Sequence, residues 1–175
     1  MRSRTAVLAA VPAVLLMSSA HAHPDDRKNT ADIPARHYGI VSRVESLDGT
    51  ERTVDQDKRV TYGVQSKVLF TKDSGQLSEQ AQSQLGDIAS KIAKSGTAQP
   101  VLVNGYTDDL GSAEHGLSLS RKRAEAVLQV LAKDPRLATI RFKAAGHGEK
   151  HPIADNKDES GRAKNRRVEI VVTRS

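Results

Sequence analysis

In the stretch N-G-Y-T-D-D-L-G-S-A-E-H-G-L-S-L-S-R-K-R-A, from Asn104 to Ala124, a carboxylate and a guanidinium sit where two elements would bring them together. Asp108 falls where an apolar run ends and a polar loop begins. Arg123 lies in a helical pattern, with Gly116, Leu119 and Arg123 spaced i, i+3, i+7 along one line of that helix. If the helix packs beside the strand end, the two charges face one cleft. The natural guest is a zwitterionic amino-acid centre. Its ammonium would pair with the carboxylate, and its carboxylate would take two parallel bonds from the guanidinium fork. The plainer reading is an Asp–Arg surface salt bridge worth ~0–1 kcal/mol, and spacing alone favours it.

Other groupings carry less chemistry. His147 and His151 are four apart, but they stand among glycines before a proline and have no third ligand, so no metal site is expected. His23, if it became a new N-terminus, has the amine and ring of a copper chelator, with nothing else to support one. Asp108 and Asp109 are adjacent and point apart in an extended loop, which does not make an acid/base pair. No G-x-S-x-G or Cys/His arrangement suggests a hydrolase. The run from Arg162 to Arg167 reads either as a solvated helix face or, through Arg166, as part of a pocket or a brace for loops. Asn165 reads as a tie for loop backbone groups. No catalytic residue and no cofactor are expected.

These residues need elements to position them. A strand is expected at Val68-Leu69-Phe70 and a polar loop from Thr71 to Gln76. A helix follows, capped by Ser78, with Ala81, Leu85, Ile88, Ala89 and Ile92 on one face and Gly96 at its end. Val101 to Tyr106 reads as an interior strand. Ser112 caps a long helix in which Ala113, Leu117, Ser120, Ala124, Val127, Leu128 and Leu131 recur, and Asp134-Pro135 stops it. Thr139 to Ala145 alternates as a half-buried strand, Glu159 to Arg166 suits a short basic helix, and Val168 to Val172 closes the sheet. The order β-α-β-α-β-(α)-β describes an α/β domain, a mixed sheet with its helices packed on one face.

Upstream of this domain, residues 37–66 read as a β-hairpin extension, with Asp48-Gly49 as its turn and a second extended stretch from Thr53 to Val64. Residues 23–36 are polar, with Pro24 and Pro34, and read as a flexible linker. Residues 1–22 read as a secretory signal: Arg2 and Arg4, an apolar run from Ala6 to Met17, then Ala20-His21-Ala22 as the cleavage site. Removing it takes the formal charge from +6 to +4. A mild basic excess suits an anionic envelope, while export and 3% aromatic residues argue against a nucleic-acid partner. The chain has no cysteine, so stability rests on the core.

The separated motifs form a recognisable series. They are Gly105-Tyr106-Thr107-Asp108, Gly111-Ser112, Leu119-Ser120 with Arg123-Ala124, Gly146-His147-Gly148-Glu149, Pro152 to Asn156, and Gly161 to Glu169, preceded by Leu69-Phe70 and Asp73-Ser74 with Leu77. This series resembles the OmpA C-terminal-like family of peptidoglycan-binding domains over about 67–175. The resemblance implies non-covalent, non-enzymatic binding of peptidoglycan through the free end of a diaminopimelate side chain, by an exported protein of the periplasm or cell wall. The family's ligand-binding Asp and Arg fall on Asp108 and Arg123, with support from Thr107, Asp73 and Arg166. Two positions depart from the pattern. His115-Gly116 stands where Tyr-Asn is common, which removes a polar contact beside Arg123, and Lys72 stands where an apolar residue is common. The first departure keeps open an envelope protein-interaction module with a weakened pocket. A secreted cell-wall enzyme is the least favoured reading.

Overall fold

The computed structural model describes residues 41–71 and 73–175. The signal and linker segments expected over 1–36, the first residues of the expected hairpin and Lys72 lie outside them. The elements in chain order are β1 (Val41–Glu45), β2 (Glu51–Gln56), β3 (Arg59–Gln65), α1 (Ser66–Leu69), α2 (Glu79–Lys94), β4 (Val101–Gly105), α3 (Ala113–Ala132), a 3-10 turn (Pro135–Leu137), β5 (Phe142–Gly146), α4 (Glu159–Asn165) and β6 (Arg167–Thr173).

The region read as a two-stranded hairpin is a three-stranded meander. Asp48 and Gly49 do make the first turn, with Gly49 at φ 67°. The stretch from Thr53 to Val64 is broken at Asp57, whose φ of 51° starts a second tight turn. Aspartate tolerates this left-handed backbone better than most side chains, and a lone Asp is a weaker signal than Asp-Gly. The expected strand at Val68-Leu69-Phe70 is also corrected. These residues leave α1, where Phe70 N–H donates to the Ser66 carbonyl at 2.8 Å, and Phe70 forms only an isolated bridge with Leu77. A short apolar run buries equally well in a helical turn and in a strand, so its pattern could not separate the two. β6 pairs with β3, just upstream of this run, on one side and with β4 on the other.

The sheet order is β1-β2-β3-β6-β4-β5, with β4 and β5 parallel and every other pair antiparallel. This is the mixed sheet expected from the element order. Period-two alternation points Val64, Val101, Val103, Val168, Ile170 and Val172 to one face, where they meet Leu85, Ile88 and Ile92 of α2 and Val127 and Leu131 of α3. Among the described residues the opposite face carries no long helix. There Glu169 accepts from Arg167 at 2.7 Å and pairs with Arg52 at 3.4 Å.

Both long helices start as expected. Ser78 Oγ accepts from Ala81 N–H at 3.1 Å, and Ser112 Oγ accepts from His115 N–H at 3.2 Å. The register of α3 differs at two positions of the expected stripe, since Ala113 and Leu117 are exposed while Gly116 is buried. The reason is backbone contact. A Cβ on Gly105 would lie 2.1 Å from the Ser120 carbonyl oxygen, and one on Gly146 would lie 2.5 Å from Arg121 N. Glycines on β4 and β5 therefore let α3 rest directly on the strand ends, which fixes where the rest of that helix points.

Candidate functional site

The strand ends and α3 enclose a cleft of 490 Å³. The expected residues Asp73, Thr107, Asp108, Arg123 and Arg166 all line it, together with His115 and Gly116. They come from four places: the loop before α2 (Asp73), the loop after β4 (Thr107 and Asp108), α3 (His115, Gly116 and Arg123) and the end of α4 (Arg166). The loop after β4 is pinned by Tyr106 N–H to the Arg167 carbonyl at 2.9 Å and Thr107 N–H to the Gly148 carbonyl at 2.8 Å, which leaves Asp108 at the floor, 9% exposed. Arg123 comes from the buried side of α3 and is 5% exposed. Asp73 sits in the loop before α2 with φ 48°.

The plainer reading, a direct salt bridge between Asp108 and Arg123, does not hold. No hydrogen bond or ion pair joins Asp108 to Arg123 among the described residues. Asp108 Oδ2 instead accepts from Arg166 Nη1 at 2.6 Å, and Oδ1 accepts from Leu110 N–H at 3.4 Å. Arg166 also donates to Glu159, so it lines the cleft and braces α4 to the β4 loop at once. Burial disfavours the charge on Arg166, but its hydrogen bonds to Glu159 and Asp108 outweigh this and raise its pKa. The same hydrogen bond from Arg166 holds the Glu159 carboxyl below its usual range.

Arg123 is held differently. Nε donates to the Ser74 carbonyl at 3.1 Å, and the guanidinium lies 5.3 Å over the Phe70 ring. No carboxylate among the described residues pairs with it directly. Burial pushes its pKa down, against the raising influence of Asp73, though an arginine remains charged at any physiological pH. Two hydroxyls at this cleft, Ser66 Oγ and Thr107 Oγ1, are buried without a hydrogen-bond partner among the described residues. Thr107 Oγ1 packs against Gly116, where a Cβ would approach it to 3.0 Å.

The cleft is lined by three cations (Lys67, Arg123 and Arg166) and three carboxylates (Asp73, Asp108 and Glu159), with Phe70, Leu110 and Leu119 between them. Such a lining suits a guest bearing both charges on an aliphatic stem. Glu159 was not singled out from the sequence. The signal was present, because Glu159 and Arg166 are seven apart, two turns along one helix face. Ser74 contributes a carbonyl, which no side-chain pattern marks.

The remaining candidates lie elsewhere. Asp109 is exposed and does not line the cleft. His147 stacks on Tyr106 at 4.9 Å, has Nε2 3.1 Å from Asn104 Oδ1, and lies 6.2 Å from the His151 ring. Asn165 accepts from Ile153 and Ala154 N–H at 2.8 and 3.1 Å and donates to the Ala154 carbonyl and Asn156 Oδ1 at 2.8 and 2.7 Å. The basic run is divided by these contacts. Arg162 holds loop carbonyls, Arg166 turns to the cleft, and Arg167 is buried under Tyr106 on the other side of the sheet.

Known proteins share this architecture. The putative lipoprotein YfiB of Escherichia coli K12 is 33% identical over 133 residues, 76% of this chain and 80% of that protein. The peptidoglycan-binding protein ArfA of Mycobacterium tuberculosis H37Rv is 38% identical over 105 residues, 60% of this chain but only 32% of that longer protein. Among solved structures, the cell wall anchor of the T6SS from Pseudomonas aeruginosa superposes with a TM-score of 0.57 at 26% identity, over 77% of this chain and 88% of that one. The OmpA family model matches residues 69–166, from the end of α1 to the arginine that braces Asp108, and the chain belongs to the OmpA family.

Proposed function

We propose that this protein binds peptidoglycan without covalent chemistry, gripping the free amino-acid end of the diaminopimelate side chain in the cleft. The carrying observation is a buried guanidinium, Arg123, with no direct carboxylate partner among the described residues, in a charge-balanced cleft whose floor is Asp108. The ligand carboxylate takes the two terminal nitrogens of Arg123, because Nε is already committed to Ser74. The ligand ammonium meets Asp108, with Thr107 and Asp73 alongside, and Arg166 keeps the Asp108 carboxylate in place. Phe70, Leu110 and Leu119 receive the methylenes. Relatives described as a peptidoglycan-binding protein and a cell wall anchor support the ligand class. In this reading the protein is exported to the periplasm or cell wall and is not an enzyme.

Two observations favour a second reading, an envelope interaction module with a weakened pocket. Asp108 is already neutralised by Arg166, and Gly116 brings no side chain to the cleft. Co-sedimentation with insoluble peptidoglycan separates the two. Retention on diaminopimelate-type but not lysine-type material, lost in Asp108→Asn and Arg123→Lys, is the expected result. Equal recovery of all three proteins in the supernatant would refute the binding reading.

A further inference from the structure

The outer edge of the sheet is made by β1, which pairs only with β2 among the described residues. All five of its residues are exposed, and Val41, Val44 and the following Leu47 are 55%, 63% and 110% exposed. A bare edge of this kind presents a row of free backbone donors and acceptors to another strand, and proteins commonly protect it with charges or cover. Here the side chains discriminate among partners. Val41, Arg43 and Glu45 point to one face and Ser42 and Val44 to the other.

Consider a second copy of β1 laid antiparallel against the first. Centring the pair on Arg43 sets arginine against arginine, and centring it on Glu45 sets glutamate against glutamate. Centring it on Val44 places Val44 against Val44 and Arg43 against Glu45 twice, once on each side of the two-fold axis. It also brings Val41 toward Leu47 of the other copy. Opposite charges directly across an antiparallel pair are favourable and like charges unfavourable, so of these three registers only the last sets opposite charges against each other.

We infer that β1 is a self-recognition edge, through which two copies of this chain join their sheets in the register centred on Val44. The cleft is unaffected, since none of its lining residues comes from β1 or β2. Two five-residue edges make a small interface, so association is expected at roughly 100 µM rather than nanomolar.

Sedimentation velocity of the purified protein from micromolar to millimolar concentration tests this. Arg43→Glu or Glu45→Arg alone turns both cross-strand pairs repulsive and should weaken dimerisation about tenfold. The double swap restores opposite charges and should recover the original affinity to within about threefold. A chain without cysteine permits a second test. Val44→Cys should crosslink under mild oxidation, because the paired positions approach to about 4.5–5.5 Å. Arg43→Cys should not, because the two thiols would lie about 7–8 Å apart on the diagonal. A monomer at millimolar concentration would overturn the inference. So would a dimer indifferent to the single swaps, or crosslinking as ready at position 43 as at 44.

Discussion

Gly105 and Gly146 stand side by side in parallel register, and both touch the backbone of α3 where a methyl group would collide with it. Gly105→Ala must therefore lift the helix or bend the strand. We predict destabilisation above the usual ~1–3 kcal/mol of an overpacked core. Gly86 provides the contrast. It lies inside α2 with nothing within 4 Å of its absent Cβ, so Gly86→Ala should stabilise by about 0.5–1 kcal/mol. Urea unfolding of the two variants checks both signs.

Arg123→Lys keeps the charge but loses the fork and the bond to the Ser74 carbonyl. Stability should fall by about 1 kcal/mol, and affinity for a diaminopimelate peptide by about 2 kcal/mol, or roughly thirtyfold. Calorimetric titration beside thermal unfolding separates the two losses. Unchanged affinity in a folded variant would remove Arg123 from the proposed site.

Much of this arrangement was legible beforehand, for reasons that differ by element. The α2 stripe of Ala81, Leu85, Ile88, Ala89 and Ile92 is buried throughout, because a long amphipathic period has one solution. The alternation of Val168, Ile170 and Val172 likewise allows one inward face. Val68-Leu69-Phe70 was ambiguous because three apolar residues have no measurable period. The second turn of the meander was hidden because Asp57 carries no glycine to announce it. In the cleft, Asp108 and Arg123 were marked by type and position. Their separation by Arg166 was not, since the ion pair spans 58 residues and depends on how α4 meets the β4 loop.

Asn165 makes four hydrogen bonds from a fully buried position and holds the loop at 153–156 against α4. Asn165→Ala leaves those groups unpaired and should cost about 3 kcal/mol. Because α4 also carries Glu159, which braces Arg166, protease sensitivity between 150 and 160 should rise in the same variant.

The β1–β2 turn should respond to acid. Hydrogen bonds from Ser46, then Thr50, lower the Asp48 carboxyl to about 2 from an ordinary 3.8. A depressed carboxyl stabilises the fold above its unfolded value, and that contribution is lost as pH falls through the folded value. The stability gap between the parent and Asp48→Ala should therefore be constant above pH 5, shrink from about 4 downward and close near 2. Denaturant titrations of both proteins across that range provide the check, and a gap that widens on acidification would contradict it.

The bond from Arg123 Nε to the Ser74 carbonyl has a consequence for timing. One guanidinium anchors the loop before α2 and, in the proposed complex, the guest's carboxylate. Each attachment restricts the torsional freedom the other would otherwise have to quench, so occupancy and loop order reinforce one another. Amide hydrogens from Asp73 to Gln76 should exchange more slowly when the cleft is filled. The rate at which a guest escapes should follow the opening of that loop, although the loop lies 49 residues away along the chain from the arginine that secures it.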